Sequence, residues 1–410
     1  MSLGEAAIFK RAAWAVAGVL AAGGAAPAAA DSLLTWDEPG RQFVSPVGEV
    51  SIHPKGRLLL DVGVTGGSSH DERNLSASEL RAARLGVDGM VGERLYYTVE
   101  GDFSGEAPVL RGTYVAWRDR LAGHDVELTL GNRLSERGLD GSSSSDGTPF
   151  MERNTVATAI APLKGFYGWG AIGKVFGPGW HVAVQAAGHD PANRELARGT
   201  QAYLARAHWN PVRGEGGLAH LGVWGFHEDF PSDMASLTRT TTWAGHYNEH
   251  LKVSLGALID PRSSDGYGLE LGGVRGPFWS FAEAGRRDVE TRSDHVQIDA
   301  VSLSAGWMVT GDPTTYAPKL GNVGKIAPLE PVSRGGIGGW EVAVRYQRLD
   351  NTDAPQGAWG EETTLGVNWR LEAWMRLMVN VSRWKVVHPA GPYAGADQGE
   401  ALAGRLQVNF

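Results

Sequence analysis

The chain contains no cysteine. Disulfide cross-links and thiolate chemistry are therefore excluded. Beyond residue 30 it has no apolar run near the ~20 residues that a helix needs to cross a bilayer. Its mean hydropathy is slightly negative. It also lacks a positive balance, because the formal net charge is −8. No nucleic-acid partner is expected from such a surface. There is no H-E-x-x-H and no G-x-S-x-G. Gly168 to Lys174 overlaps a G-x-G-x-x-G and most of a phosphate-binding loop. Val175, however, stands where that loop needs Ser or Thr, and no helix follows. The 12 histidines are scattered, and His246 and His250 are four apart without a helical context. Ser142 to Ser145 is a flexible polar stretch by composition. No catalytic residue, cofactor or metal ion is expected from these patterns, and the chain is not read as an enzyme.

What is present begins with a leader. Lys10 and Arg11 precede the short apolar run Ala12 to Leu20. Ala28-Ala29-Ala30 before Asp31 forms an A-x-A cleavage site. This pattern predicts a secretory signal peptide over 1–30 and a mature domain over 31–410. Glycine (57) and tryptophan (15) are abundant. Tight turns use the first, and the aromatic belts of a membrane barrel use the second.

The mature chain repeats one unit, about ten residues of two-residue alternation followed by a turn. In His124 to Asn132, Val126, Leu128 and Leu130 share one face, with Asp125, Glu127 and Thr129 on the other. Period two over this length specifies a strand. Equivalent segments lie near 55–65, 80–91, 94–103, 110–118, 164–176, 179–188, 200–210, 218–228, 266–275, 278–287, 296–310, 337–349, 361–370, 374–387 and 402–410. The expected fold is all-β, a sixteen-stranded antiparallel transmembrane barrel. Residues 238–260 read either as a further strand or as a long loop. Short turns at 91–93 and 176–179 read as periplasmic. Longer connections at 66–78, 188–199, 311–335 and 388–400 read as extracellular. The connection 133–160 is long enough to have a function of its own. The final strand sets Leu406, Val408 and Phe410 on one face. Phe410 is expected to serve as the signal read by the outer-membrane barrel assembly machinery.

The residues resemble the phosphate-selective porin O and P family over nearly the whole mature chain. The resemblance is carried by Trp307 to Gly311, Gly339 to Tyr346, Thr364 to Trp369 and Gly404 to Phe410. In the N-terminal half it is carried by Gly56-Arg57-Leu58, Leu80 to Leu85, and Gly138-Leu139-Asp140 through Met151 to Asn154. It implies an outer-membrane homotrimer of sixteen-stranded barrels, each with a third loop folded inward. It also implies lumenal arginines that draw anions to a constriction, where a lysine binds phosphate. Arg57, Arg81 and Arg153 fall on ladder-type arginine positions. Ala82 falls where a second adjacent arginine is expected, and Gly141 where the constriction lysine is expected. Arg111 falls where an acidic constriction residue is expected, and Arg239 is a possible counterpart of the family's later arginines.

Independently of the family, charged rings select ions in pores, and arginine favours anions. Arg57 alternates with Leu58 and Leu60 and so is expected to face water, because a lipid-facing arginine at mid-bilayer costs about 2–4 kcal/mol. The alternation around Arg81 is impure and leaves its face open. The candidate anion pathway is Arg57, Arg81, Arg111 and Arg153. The candidate constriction is Arg133, Arg137, Asp140 and Gly141. Each of these arginines could instead be a paired structural residue. The expected function is passive diffusion of small hydrophilic solutes with a preference for anions such as phosphate. The alternatives are a barrel hydrolase and a soluble β-rich carbohydrate-binding protein. Expected partners are small inorganic anions, outer-membrane lipid, the assembly machinery and two further copies of the chain.

Overall fold

The computed structural model describes residues 35–37, 42–44, 50–163, 165–190 and 199–410. The leader expected over 1–30 lies outside the described residues. Sixteen strands form one closed antiparallel sheet. They are β1 (Ser51–Gly66), β2 (Leu75–Val91), β3 (Leu95–Asp102), β4 (Thr113–Leu121) and β5 (His124–Asn132). Next come β6 (Trp169–Gly177), β7 (Trp180–Ala187), β8 (Gln201–Trp209) and β9 (Gly217–Asp229). β10 (Pro261–Arg275), β11 (Phe278–Thr291) and β12 (His295–Met308) follow. The last are β13 (Gly339–Asp350), β14 (Trp359–Arg370), β15 (Met375–His388) and β16 (Gly395–Asn409). Each strand pairs with its sequence neighbour, and β16 pairs with β1 to close the ring. Past the last ladder pair, Gly56 and Phe410 exchange backbone hydrogen bonds of 2.8 and 3.1 Å. The Phe410 ring lies against Gly56, where a Cβ would collide with it.

The alternation places apolar residues outside and polar ones inside. Leu60, Val62 and Val64 of β1 are exposed on the outer surface, while Asp61 between them and Thr65 just after them are buried. In water this would be an inside-out protein, whereas in a bilayer the outer face meets hydrocarbon. At the end of the barrel carrying the shortest turns, outward aromatics form a belt. Phe278 stacks on Trp307 with ring centroids 5.9 Å apart. Trp340 stacks on Trp369 at 5.2 Å, and both indoles donate to the Ile337 carbonyl.

Every segment expected to be a strand is one, with shifted ends: β6 starts at Trp169 and β16 at Gly395. The region 238–260 contains a hairpin, Ser236–Thr242 with Lys252–Ile259, that pairs only with itself. The barrel count therefore stays at sixteen. Leu237, Trp243, Leu251, Val253 and Leu258 of this segment bury against inward-facing Trp224, Phe226 and Trp384 of the wall. Its Trp243 indole donates to the Glu361 carbonyl, and its Tyr247 hydroxyl meets Thr65 at 3.3 Å. It thus reaches β14 and β1, far round the sheet from the strands it connects.

One expectation is corrected. The connection containing 311–335 does not lie with the long loops. β11 and β12 pair Phe278 with Trp307 beside the tight turn at 276–277. The chain that leaves β12 after Met308 therefore emerges on the short-turn face. Its length misled, because loop length alone does not fix the side.

Candidate solute pathway

The long connection between β5 and β6 has two short helices, α1 (Leu139–Ser142) and α2 (Thr155–Ala159). The Asn154 side chain caps α2 by accepting from Ala157 N at 2.9 Å, which satisfies an otherwise unpaired first-turn donor. The Glu283 carboxylate of β11 accepts from Leu139 N at 2.7 Å and from Asn154 Nδ2 at 2.6 Å.

Outside these turns the connection has no ladder to receive its carbonyls, and buried carbonyls need donors. Arginines supply them. Arg405 of β16 donates to Met151 O at 2.5 Å, and Arg345 of β13 donates to Glu152 O at 2.9 Å. Arg376 of β15 reaches Thr148 O (2.8 Å) and Ser145 O (3.1 Å). Arg287 of β11 and Arg239 of the 236–259 hairpin both donate to Ala161 O, and Arg239 also reaches Thr158 O. A guanidinium suits this task because it stays charged and presents five donors in a fixed fork.

A second segment meets the connection from the short-turn side. The 309–338 chain forms a small hairpin, Tyr316–Ala317 with Asn322–Val323. Ser144 N donates to Val323 O at 3.0 Å, Val323 N to Ser143 Oγ at 2.9 Å, and Asn322 Nδ2 to Ser142 O at 3.0 Å. His208 and Tyr316, with Asn210 and His220, tie the same hairpin to the wall.

The residues singled out from sequence divide between these roles. Arg57 faces inward. It donates to Ser145 Oγ at 2.6 Å and pairs with Asp146, so it too grips the connection. Arg81 also faces inward. β1 and β2 slip register where Leu59 pairs with Ala82 but Leu60 pairs with Leu80. Arg81 is the extra residue of this bulge, and the bulge is why simple alternation left its face open. Its guanidinium meets Glu152 with two contacts of 3.3 Å. Arg111 lies near Asp102 (3.6 Å) and Asp190 (3.8 Å). Arg133 donates to Glu127 and Thr129 at 2.6 Å and covers the Tyr114 ring.

Arg153, Arg137, Asp140 and Gly141 belong to the connection's own interior. Arg153 donates to Ser143 O at 2.7 Å, and Asp140 accepts from Asn154 N at 2.5 Å. Arg137 is buried over the Phe166 ring at 3.9 Å. Burial, with Arg153 and Arg239 nearby, pushes its guanidinium well below the ordinary arginine value. A Cβ at Gly141 would meet Arg137 Cγ at 3.0 Å and Ala157 Cβ at 3.6 Å. Position 141 therefore faces Arg137 and α2. Sequence reasoning missed Arg287, Arg345, Arg376 and Arg405. Their signal was phase, since Arg345 alternates with outward Val342 and Val344.

Along β1 to β5 inward cations stay in contact with water, and they are paired. In most of these pairs the cation is the more exposed member. The Arg118 side chain is 45% exposed against 8% for Glu127, and Arg111 23% against 5% for Asp190. Lys55 with Glu100, Arg84 with Asp102 and Arg133 with Glu127 follow the same order. Among the described residues, no group of three or more His, Cys, Asp or Glu side chains could hold a metal ion.

Comparison with known proteins agrees with this architecture. A Caulobacter vibrioides protein of uncharacterized function is 27% identical over 359 residues, covering 82% of this chain and 69% of that protein. Three solved structures share the fold at low identity. OmpT of Vibrio cholerae, an outer membrane protein in a trimer form, has a TM-score of 0.53 at 11% identity, covering 88% of this chain and all of that one. OprB of Pseudomonas putida has a TM-score of 0.54 at 10% identity, covering 88% and 94%. The outer membrane channel DcaP of Acinetobacter baumannii has a TM-score of 0.51 at 13% identity, covering 90% and 99%. The sequence model of phosphate-selective porin O and P matches residues 52–410. With the closed barrel and its charged interior, this match places the chain in the phosphate-selective porin O and P family, as an outer-membrane porin.

Proposed function

We propose that this porin passes small hydrophilic solutes by diffusion, with a preference for inorganic anions, along the β1 to β5 side of the barrel. In this reading the 133–168 connection folds into the barrel as its third loop and narrows it. Donation to its carbonyls from β11, β13, β15 and β16 supports that placement. No catalytic step is proposed, because pore width and lining charge suffice. The chain is read as a homotrimer, in line with its family and with the trimer form of the Vibrio cholerae relative. Phe410, paired with Gly56 at the closing seam, is read as the signal for the barrel assembly machinery.

The observation that carries the anion preference is the ordering of exposure within the ion pairs. When the cation of a pair is nearer water than its carboxylate, a passing ion meets a positive potential although the pair is neutral. Reversal potentials across planar bilayers in a potassium chloride gradient test this. The zero-current voltage is expected on the chloride side of zero. A value on the potassium side would overturn the anion preference and leave the fold untouched.

A further inference from the structure

We propose that the connections on the rim opposite the short turns carry a proton-operated clip. Neutral His388 accepts a hydrogen bond from Arg73, and protonation of His388 frees the turn of the 236–259 hairpin from the far wall.

The hairpin is placed to act as a lid. It follows β9 and buries against inward-facing Trp224 and Phe226 of that strand and Trp384 of β15. Its Tyr247 hydroxyl reaches Thr65 of β1. β9 and β1 lie on opposite sides of the closed ring, so the hairpin crosses the bore. Its turn, residues 243–251, ends at Arg73 of the β1–β2 connection. Arg73 Nε donates to His250 O at 3.1 Å, and Asn248 Nδ2 donates to Arg73 O at 3.0 Å.

Arg73 is fully buried and joins this turn to two further elements. Its Nη1 donates to Asp397 of β16 at 2.6 Å, and its guanidinium lies 4.2 Å from the Tyr393 ring centre in the β15–β16 connection. Its Nη2 stands 3.3 Å from His388 Nε2 at the end of β15. A guanidinium has donors only, so His388 Nε2 is the acceptor. The ring is therefore neutral, with its proton on Nδ1. A second proton would turn the acceptor into a donor and set an imidazolium against a buried guanidinium.

The surroundings do not absorb that charge. Asp397 is the carboxylate at the clip, and its oxygens already accept from Arg73, Ser68 Oγ, Ser69 N and Ser69 Oγ. His70 sits edge-on to the Tyr393 ring at 5.2 Å, and His250 Nδ1 meets the Tyr393 hydroxyl at 3.2 Å. In acid both add positive charge to the same cluster. One contact opposes release, because His246 Nδ1 meets Glu79 at 2.8 Å and tightens on protonation. The His246 side chain is half exposed, and an exposed pair contributes little.

The test is deuterium exchange of the Asn248, His250 and Leu251 amides, which are hydrogen-bonded within the turn. Full-length parent and H388Q are compared at each pH, so that intrinsic exchange cancels. Glutamine keeps a neutral acceptor for Arg73 and does not titrate. The two proteins are expected to match at about pH 7.5, above the ordinary histidine value of about 6.5. By about pH 5 the parent is expected to exchange at least about ten-fold faster, the effect of losing one bond to a charged group. Equal exchange at that pH would overturn the proposal. Should H388Q already exchange faster at neutral pH, its amide has not replaced the imidazole, and the ring nitrogen chemical shifts of His388 in the parent decide. A ring protonated on Nδ1 alone at neutral pH, becoming imidazolium over the range in which exchange rises, is expected. A proton on Nε2 at neutral pH, or an imidazolium formed without a rise in exchange, overturns the clip.

Discussion

Arg405 and Asp61 face each other as ladder partners across the seam where the last strand meets the first. Their side chains are joined by two short hydrogen bonds and are almost completely buried. The same guanidinium also donates to Met151 O. One residue thus closes the barrel and holds the loop inside its reach.

Removing the arginine leaves Asp61 as a buried carboxylate without its partner. Loss of one member of a buried pair costs about 3–5 kcal/mol. R405M is expected to lower the unfolding free energy of the folded barrel, obtained from urea titrations followed by heat-modifiable gel mobility, by an amount in that range. D61L/R405M is expected to recover most of the loss, because no unpaired charge remains. Equal destabilisation by the single and double variants would show that the pair does not hold the seam.

The approach of Gly147 to Gly324 joins the third connection to the short-turn segment. A Cβ at position 147 would overlap the Gly324 carbonyl, which is backbone and cannot turn away. G147A is therefore expected to push the two segments apart at a cost of about 1–3 kcal/mol. The Ser144 to Val323 and Asn322 to Ser142 hydrogen bonds should weaken with it. Faster amide exchange at Ser144 and Val323, with the barrel strands unchanged, is the expected readout. Unchanged exchange at both would show that the contact is not tight.

These examples show what the residues disclosed and what they withheld. Two-residue alternation located every barrel strand, because one face must suit lipid and the other water. Arg57 was legible for that reason. Arg81 was not, because its bulge breaks the phase and no local residue announces a bulge. The 236–259 hairpin was ambiguous because it alternates like a wall strand yet buries its apolar face against the wall itself. The 311–335 connection went to the wrong side because length carries no sign. The loop-holding arginines could be phased, but their partners could not be named. Those partners are carbonyls, which every residue possesses, so sequence carries no mark of which ones accept.

The resemblance to phosphate-selective porins puts a lysine at position 141, and the packing of Gly141 tells what such a lysine would do here. The site is buried against Arg137 and Ala157. A lysine there would sit beside an arginine already depressed by burial and like charge. G141K is expected to destabilise the loop by on the order of 1–3 kcal/mol and to bring no gain in phosphate block. Stronger block in G141K than in the parent would mean that the loop can turn this position toward the pore.

Glu152 gives a pH signature that distinguishes its pairing from mere packing. Burial alone would raise its carboxyl, but Arg81 and Arg405 outweigh burial and hold it at about 2, below the usual 4.5. A carboxyl lowered on folding stabilises the folded state above its unfolded value, and that contribution fades as pH falls toward the folded one. The parent is therefore expected to exceed E152Q in stability at pH 7, and the gap should close between about pH 4.5 and pH 2. Urea midpoints of both proteins, measured in lipid vesicles across that range, check this. All other carboxylates are common to the two proteins, so they cancel in the difference. A gap that persists unchanged at pH 2 would assign the effect of E152Q to packing and remove the ion pair as its cause.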